Sequence, residues 1–243
     1  MTTSSNAQLT YRPADARGKT EIGWLKSRHS FSFGQYHDPT NTHFSELRVI
    51  NDDWVAPNQG FGEHPHRDME ILTWVLQGTL RHGDSLGNMR NLTPGELQAM
   101  SAGTGIRHSE INPSADEPVH LLQIWIMPDR EGITPRYDQK TFPPAQRAGR
   151  WDTLAAGPNH QPSAPAAMPV HQDLALYVVD LSPGQSVPVT LPQGRQGYLH
   201  LATGQATLGQ QAMTEGDAVT FQGQASLTLR SDTGGQALYF DLP

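Results

Sequence analysis

The chain has 243 residues, with 24 acidic and 17 basic side chains, a formal charge of −7 and no cysteine. That length suits one large β-domain or two of roughly 100 residues, either able to build a core without staples. The composition excludes disulfides, thiolate metal sites and a cysteine nucleophile; the scattered Lys and Arg form no run that could follow a phosphate backbone, so direct nucleic-acid binding is not expected.

Nineteen Pro and 23 Gly punctuate short apolar runs, which predicts many strands and turns rather than long helices. The stretch to about Arg17 is polar and reads as a partly mobile arm without the basic and apolar regions of a signal peptide. No apolar run approaches the ~20 residues of a membrane-spanning helix. A cytoplasmic location without membrane attachment is the expectation. Strand character begins at 31–33 and continues through 47–50, 70–76 and 78–82. After a turn at 84–88 it resumes at 90–92. Pro94-Gly95 is a tight-turn dipeptide leading into 97–100. Residues 120–127 form a long apolar run and read as a buried strand. From 128 to about 169 the chain is rich in Pro, Ala and Gln, which suggests a connection with one short helix around 144–156. Strands then recur from 174 to 241.

Two runs inside the first half carry the chemistry. Phe61-Gly62-Glu63-His64-Pro65-His66-Arg67-Asp68-Met69-Glu70 is answered by Gly105-Ile106-Arg107-His108-Ser109-Glu110. Successive strand side chains alternate between faces, so His64 and His66 share one face, as do His108 and Glu110. Two such pairs on neighbouring strands could close around one metal ion. Three imidazoles with a carboxylate and no thiolate suit Fe(II), Mn, Cu, Ni or Zn. Parity would also let Glu70 face inward, so two carboxylates compete for the site. Phe31, Phe33, Phe61, Met69 and Trp125 are candidates for an apolar pocket above it, or for plain core. His29, His37, His43 and His82 read as surface or packing residues.

The second half resembles a faded copy of the first. Gly78-Thr79-Leu80 aligns with Gly204-Gln205-Ala206, and Pro94-Gly95-Glu96 with Glu215-Gly216-Asp217. Straight counting then puts Thr190 and Pro192 at the places of His64 and His66, and Leu229 and Ser231 at those of His108 and Glu110. The second half is therefore expected to be metal-free, with His171 and His200 structural.

These residues carry a family resemblance. His64-Pro65-His66-Arg67-Asp68-Met69-Glu70, the run 101–110, His120-Leu121-Leu122-Gln123-Ile124-Trp125-Ile126, Gly132-Ile133-Thr134-Pro135-Arg136-Tyr137 and the N-terminal Trp24-Leu25 with His29-Ser30-Phe31-Ser32-Phe33 resemble the pirin family of the cupin superfamily. Within it, the chain is most similar to bacterial pirin-like quercetin 2,3-dioxygenases. The resemblance is close over roughly 20–140 and looser beyond. It implies an all-β bicupin: two tandem antiparallel β-barrels of jelly-roll type, face to face, with short helices at most. An N-terminal metal-binding domain would span 1–140 and a degenerate, metal-free one 141–243.

The resemblance further implies His64, His66, His108 and Glu110 as ligands of one divalent transition metal, Fe(II) first among Fe, Cu, Ni, Mn and Zn. Glu70 would then accept a hydrogen bond and orient a histidine. The implied reaction is cleavage of a flavonol such as quercetin by O2 with release of carbon monoxide, Glu110 taking the substrate proton where it is only weakly or transiently coordinated. The expected partners are thus a small aromatic substrate and O2, with the chain a monomer. The alternative is a non-enzymatic redox- or metal-sensing regulator that binds a transcription factor or a metabolic enzyme as its protein partner. A metal-stabilised scaffold is the third reading.

Overall fold

The computed structural model describes residues 7–160 and 163–243. In chain order the strands are β1 (Gln8–Arg12), β2 (Gly18–Glu21), β3 (Leu25–His29), β4 (Leu47–Val55), β5 (Gly60–Gln77), β6 (Leu80–Asp84), β7 (Met89–Leu92), β8 (Glu96–Ile111), β9 (Val119–Ile126) and β10 (Arg136–Thr141). A one-turn helix α1 (Pro144–Arg147) precedes β11 (Asp152–Ala156), β12 (Met168–Pro169), β13 (Ala175–Leu181), β14 (Ser186–Leu191) and β15 (Gln196–Leu208). The chain closes with β16 (Gln211–Thr214), β17 (Ala218–Gln222), β18 (Ala225–Arg230) and β19 (Gly235–Leu242).

Where the sequence suggests two continuous stretches, 1–140 and 141–243, the chain gathers into two discontinuous units. One comprises Gly18–Phe142 with Val170–Gln172; the other comprises the described residues before Gly18, those of Pro143–Pro169, and Asp173–Pro243. The first unit is a nine-stranded sheet in the order β2-β3-β4-β9-β5-β8-β6-β7, with β10 on β8. The second runs β1-β17-β15-β19-β13-β11-β12, with β14, β16 and β18 branching from it. Pairing is antiparallel except between β11 and β12, and the architecture is the expected all-β bicupin. No helix among the described residues is long and apolar enough to cross a membrane.

Several local expectations give way to tertiary pairing. Part of the polar N-terminal stretch is a strand: β1 pairs with β17, and Asp217 fastens the turn after it by accepting from Tyr11 Oη (2.8 Å) and Ala14 N (2.7 Å). Residues 31–33 turn rather than extend, because Phe33 bridges only to Tyr36 and Gly34 adopts a positive φ; the strand lies earlier, in β3. The connection after residue 128 supplies β10, β11 and β12. The helix expected over 144–156 stops at Arg147, where Gly149 at φ 66° turns the chain, and 152–156 is β11.

The internal repeat has a backbone signature. Gly78 (φ 79°) and Gly204 (φ 81°) share the left-handed conformation, as do Gly95 (φ 88°) and Gly216 (φ 84°). A Cβ on Gly78 would collide with Pro118 O, and one on Gly204 with Gly234 O. Only glycine meets both conditions, so the same residue recurs at the same place in each half.

Candidate metal centre

The two longest strands of the first unit lie side by side. β5 spans 18 residues and β8 spans 16, and they pair antiparallel with His64 opposite His108 and His66 opposite Ile106. The rings of His64, His66 and His108 form a triangle, with centroids 4.8 Å (64–66), 4.5 Å (64–108) and 4.8 Å (66–108) apart. Their ligand nitrogens all lie within 4.8 Å of one another. His64 and His66 are half-buried and His108 is buried. Glu110 joins through His108: its carboxylate, His108 and His82 form a second group within the same spacing.

The donor set fits a transition metal. His64 Nδ1 lies 2.8 Å from Gly62 O, a group that can only accept, so Nδ1 carries the proton and Nε2 keeps its lone pair for the cluster. Both ring nitrogens of His108 are buried without a hydrogen-bond partner. Burying a polar nitrogen unmatched costs free energy that a coordinate bond would offset. Burial pushes His66 down to about 4, with His108 and His64 adding to the fall and Glu110 opposing it. Burial likewise lowers His108, against the pull of Glu110. Both rings therefore stay neutral, the ligating form, near neutral pH.

Glu110 is held as firmly as a core residue. Its Oε1 accepts from Thr73 Oγ1 (3.2 Å) and Gln98 Nε2 (3.0 Å), and its Oε2 from Gln123 Nε2 (2.6 Å). Oε2 thus retains a lone pair. Thr73 sits on β5, Gln98 on β8 and Gln123 on β9, so three adjacent strands aim one carboxylate. None of the three stands out in the sequence, because an uncharged polar residue in a strand gives no sign of what lies across from it.

Glu70 takes the other direction. It accepts from Ser101 Oγ (3.1 Å) and from the backbone N and Nδ1 of His171 (each 3.3 Å). The histidine it touches is therefore His171, not a member of the triangle. The cause is a slip in alternation along β5. His64 and His66 face the cluster, yet so does Thr73, an odd number of residues later. Between them the ladder is irregular, and Asp68 has φ 61°.

His82, which reads as a residue beside a turn, is fully buried. Its Nε2 lies 2.8 Å from Asp84 Oδ2 and its ring stacks on Tyr137 at 4.2 Å. Pairing of β6 with β8 sets it opposite Glu110, a relation that spacing within β6 does not encode. His29 is also buried, bonded through Nδ1 to Asn51 Oδ1 (2.8 Å) and through Nε2 to Thr20 Oγ1 (2.8 Å). His37 and His43 are exposed.

Phe33, Phe61 and Trp125 line a chamber of about 50 Å3 around the four expected ligands, together with Asn51, Asp53 and Gln123. Trp125 meets His66 edge-on at 4.9 Å. Phe31 is buried in the core instead, and Met69 packs beside Ile71, Met100 and Ala102. In the second unit, a cleft of about 320 Å3 is lined by Trp151, Tyr177, Tyr239, Thr190 and Pro192 among others. Thr190 and Pro192, which straight counting sets against His64 and His66, bring no imidazole to it.

Comparison with known proteins places the whole chain beside pirin-type proteins. The Pirin family model matches residues 10–126, and the model for a quercetinase C-terminal cupin domain matches 160–242. A protein of Escherichia coli K12 named quercetin 2,3-dioxygenase is 44% identical over 232 residues, covering 96% of this chain and 97% of that protein. The crystal structure of YhhW from Escherichia coli superposes with a TM-score of 0.90 at 42% identity, covering 97% and 98% of the two chains. A second structure, of the bacterial pirin YhhW in complex with nickel(II), gives 0.89 at 42% identity, covering 97% and 99%.

Proposed function

The chain belongs to the pirin family, and on that premise we propose that it is a metal-dependent dioxygenase that cleaves a flavonol such as quercetin with O2 and releases carbon monoxide. The observation that carries this reading is the triangle of imidazoles around His108, whose two buried nitrogens find no partner in the protein. His64, His66, His108 and Glu110 would hold one divalent transition metal, taken here as iron(II); nickel, copper, manganese and zinc suit the same donors. When bound, such an ion supplies Lewis acidity at a phenolic oxygen and a site for O2 chemistry.

The chain's own residues do the rest. Gln123, Gln98 and Thr73 hold Glu110 in one orientation, and the one spare lone pair, on Oε2, would serve the metal and take the proton of a substrate hydroxyl only when that coordination is released. Phe33, Phe61 and Trp125 keep water from the chamber and present flat apolar faces to an aromatic ring. The N-terminal cupin is the metal-binding domain and the C-terminal one carries no metal. The protein works as a monomer in the cytoplasm.

The test is carbon monoxide released from quercetin in air by iron(II)-loaded protein, beside His108→Ala treated identically. Release by the wild type alone is expected. No release from wild type with iron confirmed bound would overturn the assignment and turn attention to a regulator with a protein partner.

A further inference from the structure

The chamber around the histidines is too small for a substrate with several rings. Beside it lies a vestibule of about 270 Å3. The vestibule alone falls just short of the ~300 Å3 lower end of small-molecule sites, and the two together pass it. Phe33, Asn51, Asp53 and Phe61 line both, so these four residues form the neck between them.

Asp53 is the one ionisable group of that neck. It lies on β4, 2% exposed, and accepts a hydrogen bond from Ser27. Its Oδ1 is buried and receives no donor from the protein. Leaving such an oxygen unmatched costs about 1–3 kcal/mol or more, so a native fold that keeps one calls for an explanation. Asn51, two residues away on the same strand, turns its Oδ1 to His29 and sends no bond from its Nδ2 to this oxygen. The walls on either side are aromatic: Phe33 meets Trp125 edge-on at 5.3 Å, and Phe61 meets Trp24 at 5.1 Å. A narrow aromatic passage with one open acceptor suits a flat ring bearing a hydroxyl. An ammonium group would also satisfy the oxygen, but a divalent cation in the adjoining chamber would repel it.

We propose that Asp53 accepts a hydrogen bond from a phenolic hydroxyl of the substrate, other than the oxygen that faces the metal, and so orients the ring across the neck. This rests on the dioxygenase reading of the same site.

The test is equilibrium binding without oxygen to nickel-loaded wild type, Asp53→Asn and Asp53→Leu, with metal content measured in each. The ligands are quercetin and 3-hydroxyflavone, which share the hydroxyketone but differ in the further phenolic hydroxyls. Wild type is expected to prefer quercetin by about tenfold, the scale of one hydrogen bond to a charged group. That preference should collapse in Asp53→Leu and shrink in Asp53→Asn, with one metal retained per chain. Asp53→Asn, nearly isosteric, keeps the measurement available if the leucine variant does not fold. Equal preference in all three proteins, or none in wild type, would overturn the assignment. Asp53-dependent preference without carbon monoxide from the iron-loaded protein would sink the dioxygenase reading alone. Carbon monoxide without Asp53 dependence would do the reverse.

Discussion

Gln123 Nε2 lies 2.6 Å from Glu110 Oε2, a contact between β9 and β8 that crosses β5. It is short because the acceptor is a carboxylate and both partners are buried, where a charge-assisted bond is strongest. Gln123 therefore orients the one acidic residue of the proposed ligand set.

Replacing Gln123 with leucine removes that donor and leaves Glu110 to Thr73 and Gln98. Metal affinity should fall by about 10- to 100-fold, the usual scale for losing a group that orients a ligand. Competition against a chelator of known affinity measures it. An unchanged affinity would show that Thr73 and Gln98 suffice to orient Glu110 and that the Gln123 bond does not set metal affinity.

His82 and His108 both neighbour Glu110, but they should behave differently. His82 is engaged with Asp84 through Nε2 and stacked on Tyr137, leaving only Nδ1 without a partner, whereas both nitrogens of His108 face no protein partner. His82→Gln should keep one metal per chain with affinity reduced about tenfold. His108→Ala should bind none stoichiometrically. Mass spectrometry of the intact protein under native conditions would count the ions.

Burial pushes the Asp53 carboxyl up to about 7, with Asp52 and Glu110 adding to the rise against the bond from Ser27. In the unfolded chain it titrates near its ordinary value of roughly 4. Between these values the native state holds more protons than the unfolded state, so this group's contribution to stability falls as pH rises. The contribution is fully present below pH ~4 and lost above pH ~7, on the order of 4 kcal/mol in all. Asp53→Asn removes that slope. In metal-free protein the asparagine variant should gain melting temperature relative to wild type as the buffer goes from pH 5 to pH 8. A constant difference across the series would refute it.

Asp217 is 2% exposed and accepts from Tyr11 Oη, Ala14 N and Thr214 N. Asp217→Ala would strand two backbone donors and release β1 from the sheet edge. A loss of about 2–3 kcal/mol is expected. Hydrogen exchange should show residues 8–12 exposed to solvent before the rest of their sheet.

Much of the site is legible in the chain because strand alternation is a local property. His64 with His66, and His108 with Glu110, share faces by spacing alone. Gly78 and Gly204, or Gly95 and Gly216, mark equivalent turns because no other residue adopts that backbone at low cost. From those features follow the β-rich class, the repeat and the region where a metal would sit.

Register belongs to the folded sheet, since it depends on which strands pair and where the ladder slips. A single irregularity between His66 and Asp68 turned Glu70 toward His171 and brought Thr73 to Glu110. Pairing of β6 with β8 placed His82 beside the cluster, and pairing of β1 with β17 gave the polar N-terminal stretch a strand. The neck at Asp53 exists only where β4 meets the loop carrying Phe33 and the start of β5. The sequence determined which residues could face one another, because side-chain direction is set residue by residue; tertiary structure decided which did, because partners across a sheet are chosen by long-range pairing.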